Sequence, residues 1–187
     1  MNYELSSSTD WMRRPRPLVP YCRPASTIAA LGSALDLTLA VFKQYAALEN
    51  EACCFWYGIR DEAGNGEVLA VVVPHQHNTW GNYVIPAESM AAVAKATLEF
   101  NWRNLMQIHT HPGYGVEHSY YDDIHANSRR ALSVVLPAYG AWGDKWPYGA
   151  GVHEFQNGYW HLLNLDDAAQ RVVIVETSRA AQMVDLR

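Results

Sequence analysis

Two histidines one residue apart, His109 and His111, are followed by Pro112, six further residues, Ser119, two more, and Asp122. Two imidazoles and a carboxylate suit zinc, and three such ligands leave a fourth corner of its tetrahedron open. That is the arrangement of a catalytic site rather than a structural one. The stretch Asn104-Leu-Met-Gln-Ile108 leads into the pair and reads as a buried strand. On a strand, residues i and i+2 face the same side with Cα atoms about 6.6 Å apart, so both histidines can reach one ion. A helix running from Ser119 to Arg129 places Ser119 and Asp122 at i and i+3 on one face. Asp122 then supplies the third ligand, and the Ser119 hydroxyl stands beside the open position.

A hydrolase built on such a centre also needs a carboxylate to take the proton of the attacking water and pass it to the leaving group. Within the motif only Glu117 offers one, from a connecting loop that holds it poorly. A second pair, His75 and His77, lies in a polar loop and reads as surface side chains. His118 and His125 flank Asp122 and read as surface histidines of the helix, with support of the ligands as the rival role. Cys53 and Cys54 read as buried strand residues.

The elements that must position this chemistry can be traced in order. Residues 1–26 are rich in Ser, Pro and Arg and read as an extended or mobile arm, with 27–187 as one domain. Ser33 and Asp36 have capping-box spacing ahead of an amphipathic helix over 34–47. A strand is expected at 52–60, a turn at 61–66, and an antiparallel partner at 67–73. Residues 74–83 form a polar, aromatic loop. Pro86 opens a helix over 87–100, and the histidine strand follows at 104–110. Another buried strand falls at 131–136. Asn157-Gly158 marks a hairpin between 151–156 and 159–164, and 172–176 is a last strand. Residues 137–151 hold Tyr139, Trp142, Trp146 and Tyr148 among glycines; they line a groove or pack beneath a long loop.

The run His109-Thr110-His111-Pro112, six residues, Ser119, two residues, Asp122 resembles the signature of the JAMM (MPN-domain, or JAB) zinc metalloproteases, here in a bacterial-type member. That family adds a distant upstream Glu before a strand of pattern E-x-x-G-x-L-x-G. Glu51-Ala-Cys-Cys54-Phe-Trp56-Tyr-Gly58 is similar, with Cys54 and Trp56 departing from the pattern and Gly58 kept. Glu49, two residues earlier, is the rival for the role. The order of elements over about 27–176 also agrees. The resemblance implies an α+β fold: a single JAB/MPN-like domain with a mixed, mostly antiparallel sheet flanked by helices, cytidine-deaminase-like. It implies that His109, His111 and Asp122 bind one zinc ion, that Glu51 is the general base, that Ser119 stabilises the oxyanion, and that Pro112 shapes the turn.

The function it implies is hydrolysis of the bond after the C-terminal glycine of a ubiquitin-like or sulfur-carrier-like protein, by deconjugation or precursor processing. Such a tail would add as an extended strand near 75–83 or 137–151, with Asn78, Trp80 and Trp142 as substrate contacts. Ubiquitin-activating or ubiquitin-conjugating-like enzymes of the same operon are the implied further partners, and antiviral defence an implied setting. The rival readings are a non-catalytic MPN-like scaffold that binds partners and a zinc amidohydrolase with a deep, closed pocket.

Composition is consistent with a globular chain. It has 187 residues, 49% of them hydrophobic, and a formal net charge of −5 spread along its length. This argues against nucleic acid or a membrane surface as partner. No apolar run approaches the roughly 18–20 residues that cross a bilayer, and the N-terminus lacks the apolar core of a secretion signal. Three cysteines, two of them neighbours, argue against a disulfide framework and for a reducing cytoplasm.

Overall fold

The computed structural model describes residues 16–126, 128–141, 143 and 145–187. Their elements run β1 (Ile28–Leu31), α1 (Gly32–Ala46), β2 (Cys53–Arg60), β3 (Gly66–Pro74), β4 (His77–Thr79), β5 (Asn82–Val84), α2 (Ala87–Leu98), β6 (Arg103–Thr110), α3 (Tyr120–His125) and β7 (Leu132–Leu136). After a 3-10 turn at Ala138–Gly140 come β8 (Gly151–Gln156), β9 (Tyr159–Leu162), α4 (Leu165–Arg171), β10 (Val172–Val175) and β11 (Gln182–Leu186).

Among the described residues nine strands form one sheet in the order β10-β1-β3-β2-β6-β7-β8-β9, with β11 also on β3; β4 and β5 form a separate hairpin. The fold is α+β, as expected. The sheet is more evenly mixed than the sequence suggested. β1 with β10, β1 with β3, β11 with β3, and β6 with β7 pair in parallel, against four antiparallel pairings. The extra parallel pairs come mostly from the short strands β1 and β11, which share one edge of β3 end to end.

The period of two along β2 divides the core. Cys54 and Trp56 face Ala34, Val41 and Phe42 of α1, whereas Cys53, Phe55 and Tyr57 face Val93 of α2. The Trp56 indole N–H donates to Thr38 Oγ1 at 2.8 Å, and that hydroxyl donates to Ala34 O at 2.8 Å, so the buried polar atoms in this layer are satisfied. Gly58 is required where β2 passes β3: a Cβ there would lie 1.8 Å from Glu67 O.

Several expectations are corrected. Ser33 lies inside α1, whose N-cap is Leu31, and its hydroxyl accepts from the Ala181 N–H at 2.9 Å. The capping box is instead at Ser119 and Asp122 of α3. That helix ends at His125, short of Arg129, and residues 77–84 form a hairpin rather than a loop. The part of the arm that is described is docked. Tyr21 donates to Glu154 at 2.7 Å, Cys22 and Gln156 exchange two hydrogen bonds, and Arg23 pairs with Asp167 at 2.9 Å. Residues 1–15 and Trp142 lie outside the described residues. All three cysteines are free thiols, with Cys53 and Cys54 buried. Among the described residues no helix is long and apolar enough to cross a membrane.

Candidate metal centre

His109 is the penultimate residue of the buried strand β6 and lies opposite Cys53 of β2, so its side chain leaves the sheet on the face covered by α2. His111, two residues on, leaves on the same side. Backbone bonds hold the turn that follows. His111 N–H donates to Leu136 O at 2.9 Å, Tyr139 N–H to His111 O at 2.8 Å, and Ala138 N–H to Gly113 O at 2.9 Å. To make these contacts Ala138 and Tyr139 adopt φ of 50° and 56°. Left-handed backbone at non-glycine residues costs on the order of 1–3 kcal/mol each, and it persists because the surroundings over-determine it.

Asp122 arrives on α3. Ser119 caps that helix reciprocally: its Oγ accepts from Asp122 N–H at 3.2 Å, and its own N–H and Oγ–H both donate to Asp122 Oδ2 at 2.7 Å. The carboxylate is thereby fixed against the histidines. The two imidazole Nε2 atoms are 3.3 Å apart, His111 Nε2 is 3.3 Å from Asp122 Oδ2, and His109 Nε2 is 3.4 Å from Asp122 Oδ1. The two nitrogens stand at the spacing, about 3.3–3.4 Å, that an ion bonded at about 2.0–2.1 Å to two corners of a tetrahedron would set, and the carboxylate meets them with one oxygen each. His111 Nδ1 is 3.1 Å from Gly115 O. A carbonyl only accepts, so Nδ1 carries the hydrogen and Nε2 presents its lone pair to the centre. These three residues form a largely buried group that could hold a metal ion.

The electrostatics agree with that role. Burial by itself would raise the Asp122 carboxyl. The charge of and hydrogen bond from His109, with hydrogen bonds from His111 and Ser119, overcome this and hold it well below the usual carboxylate range. Burial by itself would lower His111; the hydrogen bond to Asp122 and the Asp122 and Glu51 charges outweigh it and raise the imidazole. A proton shared in this group competes with a cation for the same lone pairs.

Glu51 reaches the centre through sheet register. Cys53 pairs with His109, and the ladder continues through Thr110 N–H to Ala52 O at 3.0 Å, which carries Glu51 opposite His111. Glu51 N–H donates to Thr79 O at 2.8 Å, and the Asn78 amide donates to Glu51 O. The residue is 6% exposed. Its carboxyl is pushed up to about 7, first by burial, with His111 opposing and Asp122 adding to the rise. Glu49, the rival, sits exposed in the turn after α1 with φ 52°.

Glu51, His111, Ser119 and Asp122 line one cleft of about 560 Å³, together with Trp80 and Glu117. Of the other expected contacts, Asn78 spends its amide on Glu51 O and on Gln76 Oε1 at 3.1 Å. His125 is exposed and stacks on Tyr121. His118 is not a surface residue. It is 3% exposed and stacks on His153 at 3.8 Å between ring centroids. Tyr83 was not singled out in the sequence. Its ring lies 5.5 Å from that of His109, and its hydroxyl accepts from the Gln107 amide at 2.8 Å. No local pattern marked it, because hairpin β4–β5 brings it there.

Fold and site together define an α+β protein with a candidate three-ligand metal centre at the ends of its central strands. No family model matches the chain, and no curated protein matches it. Among solved structures it is similar to a protein of Desulfitobacterium hafniense determined in solution, with TM-score 0.62 and 16% identity, over 81% of this chain and 94% of that one. It is also similar to a protein of Salinibacter ruber, again a solution structure, with TM-score 0.54 and 17% identity, over 82% of this chain and 94% of that one. At these identities the likeness is one of fold alone.

Proposed function

We propose that the chain is a zinc-dependent peptidase or isopeptidase of the JAMM type, with a JAB/MPN-like fold, acting after the C-terminal glycine of a ubiquitin-like protein. The observation that carries this reading is Glu51. It lies 58 residues before His109 in sequence, yet it lines the same cleft as His111, Ser119 and Asp122 with its carboxyl near 7. His109, His111 and Asp122 are the zinc ligands. Two imidazoles in the set argue against the hard cations magnesium and calcium, which prefer all-oxygen sites.

A zinc ion there supplies Lewis acidity, acidifying water and polarising a carbonyl. Glu51 takes the proton of the attacking water on its carboxylate and delivers it to the departing amine; burial, which favours the protonated form, helps it to hold that proton between the two transfers. Ser119 Oγ turns its hydrogen from Asp122 to the developing oxyanion. Asp122 Oδ2 keeps the Ser119 backbone N–H at 2.7 Å, so the ligand is not left unsatisfied when the hydroxyl turns. Trp80, 74% exposed at the cleft rim, contacts the incoming chain. Asn78 acts on the backbone of Glu51 instead. A rim with Trp80 and Tyr120 in solvent favours an extended protein tail over the enclosed ligand of a small-molecule amidohydrolase. Convergence of all three donors favours a catalyst over a scaffold.

The test is metal analysis of the purified chain together with cleavage of a ubiquitin-like fusion by wild type and Glu51→Gln. Stoichiometric zinc in both, with cleavage reduced about 10²–10⁴-fold in the variant, is expected. Wild-type cleavage by Glu51→Gln would eliminate Glu51 as the proton carrier, and a wild-type chain that takes up no zinc would sink the metal reading.

A further inference from the structure

The third ligand arrives by a different route from the other two. His109 and His111 belong to a central strand and its immediate continuation. Asp122 sits on a six-residue helix at the end of a connection, residues 112–119, that has no regular structure and contains Gly113 and Gly115. Six residues make a helix too short to be stable by itself. Something must fix it relative to β6, because a ligand atom displaced by an ångström leaves the coordination distance.

Two contacts do so. Val116 lies against the start of β8, where a Cβ on Gly151 would be 2.0 Å from Val116 O, so only glycine lets the connection sit this low. The second is His118. Its Nδ1 is 3.0 Å from Asp123 Oδ1 on α3, and its Nε2 is 2.8 Å from Ser133 Oγ on β7. Its backbone N–H donates to His153 Nε2 on β8 at 3.2 Å, and the two rings stack at 3.8 Å. Ser133 pairs in register with Gln107 of β6, two residues before His109, and on its other side with His153. The imidazole therefore spans from the residue next to Asp122 to the strand beside the one that carries His109.

We infer that His118 is a positioning residue for the metal centre: a buried strut from Ser133 to Asp123 that sets Asp122 against His109 and His111. This rests on the metal reading above. His118 is not one of the three donors; its ring lies 5.8 Å from that of His109 and it borders the cleft, and it acts by holding α3 in the pose in which all three donors meet. A neutral imidazole suits the task because it offers a donor at one end and an acceptor at the other, rigidly separated. Outer partners that orient ligands typically cost about 10–100-fold in metal affinity when removed.

The experiment is a competition titration of zinc into the metal-free full chain, with thermal unfolding of the same metal-free samples. His118→Phe keeps a flat ring against His153 but loses both polar ends. It is expected to weaken zinc binding about 10–100-fold, whereas His118→Asn, whose amide can still reach Asp123 but not Ser133, loses affinity only several-fold. Ser133→Ala cuts only the strand end of the strut and keeps the claim testable if the Phe variant does not fold; a several-fold loss of affinity is expected there. Wild-type affinity in a folded His118→Phe, or in Ser133→Ala, would overturn the inference. So would equal losses in the Phe and Asn variants that track their loss of thermal stability, since that is the behaviour of a residue that only packs. A wild-type chain that binds no zinc would remove the metal reading itself, which is a distinct result.

Discussion

The chain contains the same three-residue pattern twice, with opposite outcomes. His109-Thr110-His111 ends a buried strand, and its two Nε2 atoms stand 3.3 Å apart beside a carboxylate. His75-Gln76-His77 lies at the junction of β3 and β4, with both histidines exposed and their rings edge to face at 5.3 Å. Alternation puts both histidines of each pair on one side, so alternation does not separate the two. What separates them is a third donor: α3 brings Asp122 to the first pair, and among the described residues no acidic or cysteine partner completes the second.

The middle residues teach something else. Thr110 Oγ1 accepts from Ala52 N–H at 3.0 Å, and Gln76 Oε1 accepts from Cys53 N–H at 2.8 Å while its amide donates to Cys53 O at 2.8 Å. The two pairs flank the entrance of β2 and clamp it from opposite sides, directly after Glu51. The second pair thus brackets Gln76, which holds the backbone two residues after Glu51.

This contrast can be broken by substitution. The largest effect is expected from His111→Ala or His109→Ala, with bound zinc falling from one per chain to trace levels in elemental analysis. The same changes at His75 and His77 leave zinc content unchanged; loss of zinc there would erase the distinction. Next comes the pH dependence of cleavage. In the proposed mechanism Glu51 works as a base only when ionised, so kcat/KM is expected to rise with pH as its carboxyl, raised by burial, gives up its proton. Asp122, held low, does not titrate in that range. A profile flat from pH 5.5 to 8 would count against Glu51.

The linked effect on stability has the opposite sign. The Glu51 carboxyl is raised from 4.5 unfolded to about 7 folded, so over that window the folded chain holds a proton the unfolded chain has released. Stability of the metal-free protein should therefore fall as pH rises from 5 to 7. Glu51→Gln should flatten that slope in urea unfolding, and an unaltered slope would assign it to another group. A smaller change is expected from Gln76→Ala, which strips two backbone partners from Cys53. A loss of about 1–3 kcal/mol in urea unfolding, with zinc content intact, is the predicted outcome. Stability within error of wild type would show that the clamp is dispensable.

Much of the centre was legible because its geometry is local. A strand fixes i and i+2, and a capped helical turn fixes i and i+3, so His109, His111, Ser119 and Asp122 could each be oriented from spacing. The central strands β2, β3, β6, β7 and β8 were legible from long apolar runs and turn residues. The strands β1, β4, β5 and β11 were not. They are three to five residues long; β1 and β11 are held by strands remote in sequence and β4 and β5 pair only with each other, so no local period of useful length announces them. Helix α4 was missed although its cap was visible: Asn164 Oδ1 accepts from Asp167 N–H at 2.8 Å, a spacing that sequence alone offers.

The sequence by itself singled out the three candidate donors, since residue type and short-range backbone period are properties of the chain. Only the tertiary structure places Glu51 in the cleft and leaves Glu49 in an exposed turn, because that depends on the register in which β2 meets β6. It also supplied the partners of His118 and Asn78. Each acts across a gap of many residues, on Ser133 and on Glu51 O respectively, and such partners are brought together by sheet order and the packing of loops rather than by spacing.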